Sequence, residues 1–314
     1  MKKVNKVNIV LITIDSLRCD HLPCYGYKKD VCPNISKLAS QGLVFLNAFS
    51  HGGGTPEAFP SIMASVLPPF SYSDYKKIVK ENVTIAEILK GLGYNTAAFH
   101  SNPYLSRSFG YNKGFDVFWD GMIVKTFSEK IQIMLGLRGG YLYKVTSAFE
   151  QLLIGLTWSP PIVRASEITK KAIAWLKHVN TKPFFLWVHY MDVHHPYMPP
   201  WNYVQRYVPV KANKLKLLKV YNNIRKMKGR KSFQDGKLLR YLYDASIRYV
   251  DENIGLLLEY IDLDKTLLII TADHGDLLGE HGLFYHGYLY DCLLYTSDAA
   301  DDGESVDLGG RRII

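Results

Sequence analysis

The sequence is poor in cysteine and has no long apolar run. Its four cysteines, Cys19, Cys24, Cys32 and Cys292, show no C-x-x-C spacing in a chain of 314 residues. That length is far above a disulfide-stapled mini-domain, so free and mostly buried thiols are expected. The cysteines leave the compartment open. No stretch reaches the roughly 18–20 apolar residues of a membrane-spanning helix. The start, MKKVNKVNIVLITID, looks superficially like a signal peptide. Its apolar part is interrupted by Asn8 and Thr13, runs into Asp15 and meets no small-residue cleavage site, so it reads as a buried strand. With no export signal or span, the cytoplasm is the default expectation. Glycine and proline, at 24 and 14 residues, are ordinary, which excludes collagen-like and low-complexity chains.

Apolar residues make up 47% of the chain and charged residues 21%. That is enough for a buried core and excludes disorder as the default state. The length fits one large domain or two small ones. The net charge of +9 is local: residues 211–231 hold nine Lys or Arg and no acid, and the rest balances 29 bases against 29 acids. Such a run is compatible with a solvated helical face, a membrane-surface patch or a clamp for an anionic substrate. A nucleic-acid role would rest on charge alone, so no nucleic-acid partner is expected.

Strand and helix signals alternate. Val7–Ile14 is a β-branched run suited to a central strand. Asn34–Gly42 is helical in pattern, with Asn34 as N-cap and Gly42 as stop. Leu43–Phe49 reads as a strand, His51–Thr55 as a glycine turn, and Ala58–Ser65 as a helix. Thr84–Leu92 is a capped helix, Tyr94–Phe99 a strand, Tyr143–Leu156 and Ser166–Val179 helices, and Phe184–His189 a strand. Lys237–Ile261 has apolar positions at helical spacing, and Thr266–Ile270 is a last strand. The alternation implies a mostly parallel sheet with helices on both faces. Polar residues follow three strand ends, at Asp15, His189–His194 and Asp273–His274, where open α/β sheets place their sites.

Three stretches carry chemistry. In TADHGDLLGEHG (271–282), Asp273 and His274 end a strand and can offer an oxygen and a nitrogen to one divalent ion. In HGGGTPEAFPSIMAS (51–65), Thr55 ends a glycine turn ahead of a helix. It is either a nucleophile near the positive helix end or a threonine N-cap. In HYMDVHHPY (189–197), three histidines can donate protons, bind metal or serve the core.

With IVLITIDSLRCDHLPCYGY (9–27), CPNISKLASQGLVFLNAFSHGGGTPEAFPSIMAS (32–65), HYMDVHHPYMPP (189–200), YDASIRYVDENIG (243–255) and TADHGDLLGEHGLFYHGYLYD (271–291) in this order, the chain resembles the sulfatase branch of the alkaline phosphatase superfamily. The resemblance implies an alkaline-phosphatase-like three-layer sandwich. It also implies one divalent ion (Ca, Mg, Mn or Zn) on Asp15, Asp273 and His274, with the nucleophile position, Thr55, also on the metal. Sulfatases carry Cys or Ser there, converted to formylglycine within C-x-P-S-R. This chain reads T-P-E-A-F, with Phe59 at the arginine position and Ser16 for the second acid of the usual Asp-Asp pair. Threonine is not a substrate for that conversion, so no formylglycine is expected.

The implied activity is metal-dependent hydrolysis of a sulfate or phosphate ester on a small molecule, glycan or lipid, through a covalent Thr55 ester. Threonine nucleophiles also occur in phosphoglycerol- and phosphoethanolamine-transferring relatives, and a non-catalytic binder of anionic glycans or lipids is a further alternative. His194 or His286, which stands at the family's lysine position, would protonate the leaving alcohol. Arg18, Asn102 and His189 would orient the anion. The catalytic domain is expected over residues 1–291. Residues 292–314 show no helix or strand period over their last 18 residues and resemble translated adapter sequence, so a longer natural protein is expected.

Overall fold

The computed structural model describes residues 6–69, 71–121, 157, 158, 160, 162–179, 183–209, 213–226 and 233–294, with all their side chains except those of 222–226, 233–235 and 291. In chain order the elements are β1 (Asn8–Ile14), α1 (Pro33–Ala39), α2 (Thr55–Ala64), α3 (Tyr72–Glu81), α4 (Ile85–Gly91), β2 (Asn95–Phe99), β3 (Val117–Trp119), α5 (Ala165–Leu176), β4 (Phe184–Tyr190), α6 (Trp201–Tyr207), α7 (Lys214–Lys226), α8 (Phe233–Leu258), β5 (Thr266–Ala272), β6 (Leu277–Leu278), β7 (Phe284–Tyr285) and α9 (Asp291–Leu294). The expected helix at Tyr143–Leu156 and residues 295–314 lie outside the described residues.

Five strands form one sheet in the order β3-β2-β4-β1-β5, and every pairing is parallel. Their side chains alternate between two cores. Val10, Ile12 and Ile14 of β1 and Leu186, Val188 and Tyr190 of β4 join the core shared with α1, α5, α6 and α8. Leu11, Phe185 and Trp187 join the core shared with α2, α3 and α4. A strand apolar at every position can be stable only when both faces are covered, and β4 is buried along its whole length. The result is the expected three-layer arrangement.

Local chemistry explains several boundaries. Thr84 and Glu87 form a reciprocal capping box at the start of α4. The first turn of α1 is capped from a distance. Pro33 opens that helix, and Asp251 of α8 accepts from Asn34 N at 3.1 Å and Ile35 N at 2.8 Å. Asn34 is therefore inside the helix and not its N-cap, and its side-chain amide donates to the same carboxylate at 2.9 Å.

Leu43–Phe49 is not a strand. Only isolated backbone bridges form, at Leu43 and Phe49, and the segment adds no strand to the five-stranded sheet. Phe45, Leu46 and Phe49 stay 48%, 42% and 57% exposed. The packing also runs past residue 291: Leu293 is fully buried, and its carbonyl accepts from Gly275 N at 2.8 Å. No described helix is long and apolar enough to cross a membrane.

Candidate active site

Strand register brings the distant polar clusters together. Ile14 pairs with Tyr190 of β4 on one side and with Ala272 of β5 on the other. Asp15 and Asp273 are the next residues of their strands, so both leave the sheet at the same rim. Asn102 arrives from the turn after β2, and Thr55 from the first position of α2. The glycine turn before Thr55 is tight for a visible reason. A Cβ on Gly53 would lie 2.4 Å from the Tyr288 carbonyl oxygen, and one on Gly52 would lie 2.1 Å from Glu57 Cβ.

The Thr55 hydroxyl donates to Asp273 Oδ2 at 3.0 Å. It makes no backbone cap bond, and Gly54 holds the N-cap position, so the N-cap alternative is not realised. Asn102 Nδ2 donates to Asp15 Oδ2 at 2.9 Å and to Thr55 Oγ1 at 3.3 Å. Its Oδ1 accepts from Tyr104 N at 2.9 Å, which fixes the amide orientation. Asp15, Asp273 and His274 are each fully buried. One ligand atom from each lies within 4.8 Å of the others.

This cluster demands positive charge. His274 Nδ1 donates to the Gly275 carbonyl at 3.0 Å, which turns Nε2 toward Asp15 Oδ1 at 3.5 Å and Asp273 Oδ2 at 3.6 Å. That buried Nε2 makes no hydrogen bond. Burial alone would lower the imidazole pKa, but Asp273 and Asp15 lift it to about 9. At Asp15, burial opposes ionisation, yet His194, His189 and His274 outweigh it and hold the carboxyl far below the usual range. Asp273 is pushed up, by burial and then by the charge of Asp15. An orphaned nitrogen facing two carboxylates suits a divalent ion with mixed oxygen and nitrogen ligands.

The remaining predicted residues fall into three groups. His189 is buried beside the cluster, with Nδ1 at 2.9 Å from Thr13 Oγ1 and Nε2 at 3.4 Å from Asp15 Oδ2. His194 and His286 stand over it with ring centroids 4.9 Å apart, and His286 is 4.5 Å from the His274 ring. His194 Nδ1 bonds the His195 carbonyl, and burial pushes its pKa down to about 4, so it is neutral at neutral pH. Arg18 is not free to orient an anion. Its guanidinium is held by Asp20 at 2.9 and 2.7 Å, by the Asp276 carbonyl at 2.9 Å and by Glu280 at 3.2 Å. It props the loop behind the site.

Sequence reasoning missed two supporting residues. Asp276 accepts from His286 Nδ1 at 2.7 Å and from the Tyr197 hydroxyl at 2.8 Å. Burial opposes its ionisation, but His195 and His286 hold its carboxyl well below the usual range. Ser16 N donates to Asp273 Oδ1 at 3.2 Å, and Ser16 Oγ to Asp15 Oδ1 at 3.0 Å. The fourth residue of D-H-G-D was the available signal for Asp276. Ser16 was legible only as a missing acid.

Comparison with known proteins places the chain's family and fold. The chain is 26% identical to human iduronate 2-sulfatase over 311 residues, covering 88% of this chain and 56% of that protein. Thus it spans little more than half of that relative. Among solved structures, the phosphonate monoester hydrolase of Agrobacterium radiobacter superposes with a TM-score of 0.62 at 17% identity, covering 92% of this chain and 66% of that one. The C-terminal periplasmic domain of EptC from Escherichia coli, in complex with Zn, gives 0.60 at 13%, covering 90% and 68%. That of the phosphoethanolamine transferase EptC from Campylobacter jejuni gives 0.59 at 18%, covering 93% and 77%. These likenesses show an alkaline-phosphatase-like fold. The family model described as Sulfatase matches residues 7–300, and the chain belongs to the sulfatase family.

Proposed function

We propose that the chain is a metal-dependent ester hydrolase acting on a sulfate or phosphate ester, with Thr55 as nucleophile. The observation that carries this reading is the 3.0 Å bond from the Thr55 hydroxyl to Asp273, inside a buried cluster whose His274 nitrogen has no partner. Asp15, Asp273, His274 and Thr55 would hold one divalent ion, which supplies Lewis-acid activation of the hydroxyl and of an ester oxygen.

The chain's own residues perform the rest. Asn102 donates to both Asp15 and Thr55 and so fixes where the Oγ1 lone pairs point. Thr55 Oγ1 passes its proton to Asp273, to which it already donates, and forms a bond to phosphorus or sulfur as the bond to the leaving alcohol breaks. His286, anchored through Nδ1 to Asp276, presents Nε2 for the proton that the leaving oxygen needs. The neutral His194 is the weaker donor, and a water or a second alcohol then attacks the Thr55 ester. That attack releases the group and restores Thr55. A threonine carries no oxidisable thiol or primary alcohol, so the side chain acts unmodified.

Transfer of a phosphoethanolamine- or phosphoglycerol-type group is the second reading. It is favoured by Thr55 itself and by Phe59 at the position where sulfatases carry arginine. The basic run 211–231 would then meet an anionic carrier or membrane surface. The proposed compartment is the cytoplasm, and recovery of the chain from an extracytoplasmic fraction overturns that part.

Metal analysis joined to a screen of aryl sulfate, phosphomonoester and phosphodiester substrates tests the proposal. One bound ion per chain with turnover of one ester class supports it. Stoichiometric anionic-glycan or lipid binding, without metal or turnover, supports the non-catalytic alternative instead.

A further inference from the structure

We infer that the Tyr243 hydroxyl is a positioning group for the metal-binding carboxylates, acting through the backbone of Ser16. Tyr243 lies on α8 and is fully buried. Its hydroxyl donates to the Ser16 carbonyl at 2.6 Å and accepts from Arg18 N at 2.8 Å. One side-chain atom thus closes the turn that leaves β1 immediately after Asp15.

The turn needs closing. Ser16 has φ of 60°, in the left-handed region that L residues other than glycine, asparagine and aspartate seldom adopt. In this conformation its N–H reaches Asp273 Oδ1 at 3.2 Å while its hydroxyl reaches Asp15 Oδ1 at 3.0 Å. Ser16 is therefore the direct link between the two carboxylates. Relaxation to an extended backbone would swing the N–H away from Asp273 and free the Asp15 carboxylate to rotate. The strained conformation persists because its surroundings over-determine it, and the phenol holds both the carbonyl of Ser16 and the amide two residues on.

The phenol is itself fixed from the proton-transfer side of the site. Its ring packs edge-on against Tyr197, with centroids 5.2 Å apart, and the Tyr197 hydroxyl donates to Asp276 at 2.8 Å. Asp276 in turn holds His286. Tyr243 therefore places the cation-binding pair from the same point that braces the proposed proton donor, His286.

This inference rests on the metal reading above. Its test is calorimetric titration of Mn2+ and of Zn2+ into the whole chain, the Tyr243→Phe and Ser16→Gly variants, and the double variant. Tyr243→Phe keeps the ring and should weaken ion binding about tenfold, the value of roughly one hydrogen bond. Glycine at 16 accepts the left-handed conformation freely. Tyr243→Phe made in the Ser16→Gly background should therefore change affinity less than twofold, and this non-additivity is the signature of action through Ser16. If Tyr243→Phe alone does not fold, Tyr243→His, a smaller polar ring without the phenol's reach, replaces it in both backgrounds, and the same non-additivity is read. Unchanged affinity in a folded Tyr243→Phe, with only a lower Tm, overturns the inference and leaves the metal reading standing. A tenfold loss in the glycine background also overturns it. A parent chain that takes up no ion overturns both.

Discussion

Ile14 and Ala272 stand opposite each other on adjacent parallel strands, so the carboxylates of Asp15 and Asp273, 258 positions apart in the chain, emerge side by side. The charge they concentrate is the central property of the site, and the first expectation concerns what neutralises it. Chelation should abolish turnover and lower Tm, and restoring an ion at a hundred times its Kd should return about 2.7 kcal/mol of stability. Asp273→Asn should weaken ion binding while raising the Tm of the metal-free chain, because it removes one of two buried like charges. Thermal unfolding with and without chelator checks both.

Thr55→Ala should lower kcat by several orders of magnitude, because nucleophile and Lewis acid act as a unit. The hydroxyl is 3.0 Å from Asp273 and the loss is chemical, so KM should move far less. Thr55→Ser should retain a measurable rate. Mass spectrometry of the chain trapped with a slow substrate should place the added group on the peptide containing Thr55. Full activity in the alanine variant sinks the proposed nucleophile.

Asp192 gives a pH signature independent of the metal. Its Oδ2 accepts from Ala165 N at 2.8 Å, and burial pushes its carboxyl up to about 7 against the pull of Arg164. An unfolded aspartate titrates near ~4. Between about pH 4 and 7 the folded chain keeps a proton that the unfolded chain releases. The contribution of this residue to stability is therefore greatest below about pH 4, falls as pH rises toward 7, and is level above. Asp192→Asn keeps an acceptor for Ala165 N and should remove that slope, so the variant gains on the parent as pH rises. Denaturant titrations at pH 4.5 and 7.5 measure the difference.

Asp251→Ala should destabilise the fold by about 1–3 kcal/mol, because it strips the first-turn amides of α1 of a buried acceptor. The α1 segment carries no metal ligand, so ion affinity should stay near the parent value in the folded fraction. Urea unfolding and calorimetry together distinguish this capping role from a role in the site.

Much of the framework was legible because it is periodic. The apolar runs of β1, β4 and β5 and the helical spacing in α8 are local signals, and Asp15, Asp273 and His274 follow directly from where strands end. Leu43–Phe49 misled because its composition suits a strand, while a strand exists only through its pairing, and here only isolated bridges form at Leu43 and Phe49. Asn34 misled for a related reason: its helix is capped from Asp251, 217 positions away, and no local rule sees that distance. Arg18 looked like an anion contact because residue type is visible in sequence and occupancy of its donors is not. Asp276, Ser16 and Tyr243 matter through pairings that exist only once β1, β5 and α8 are assembled.

Three residues of α8, spread over about two helical turns, each grip a different part of the N-terminal third. Tyr243 holds the turn after β1, Asp244 gathers His21, Tyr27 and Lys29, and Asp251 caps α1. These grips share one rigid rod, so their angular spacing is set by the helical repeat of about 100° per residue. Adding or deleting one residue between them would rotate the later grip off its target. The segment from Tyr243 to Asp251 therefore behaves as a ruler, on which the count of residues, more than their identity, sets where each grip lands.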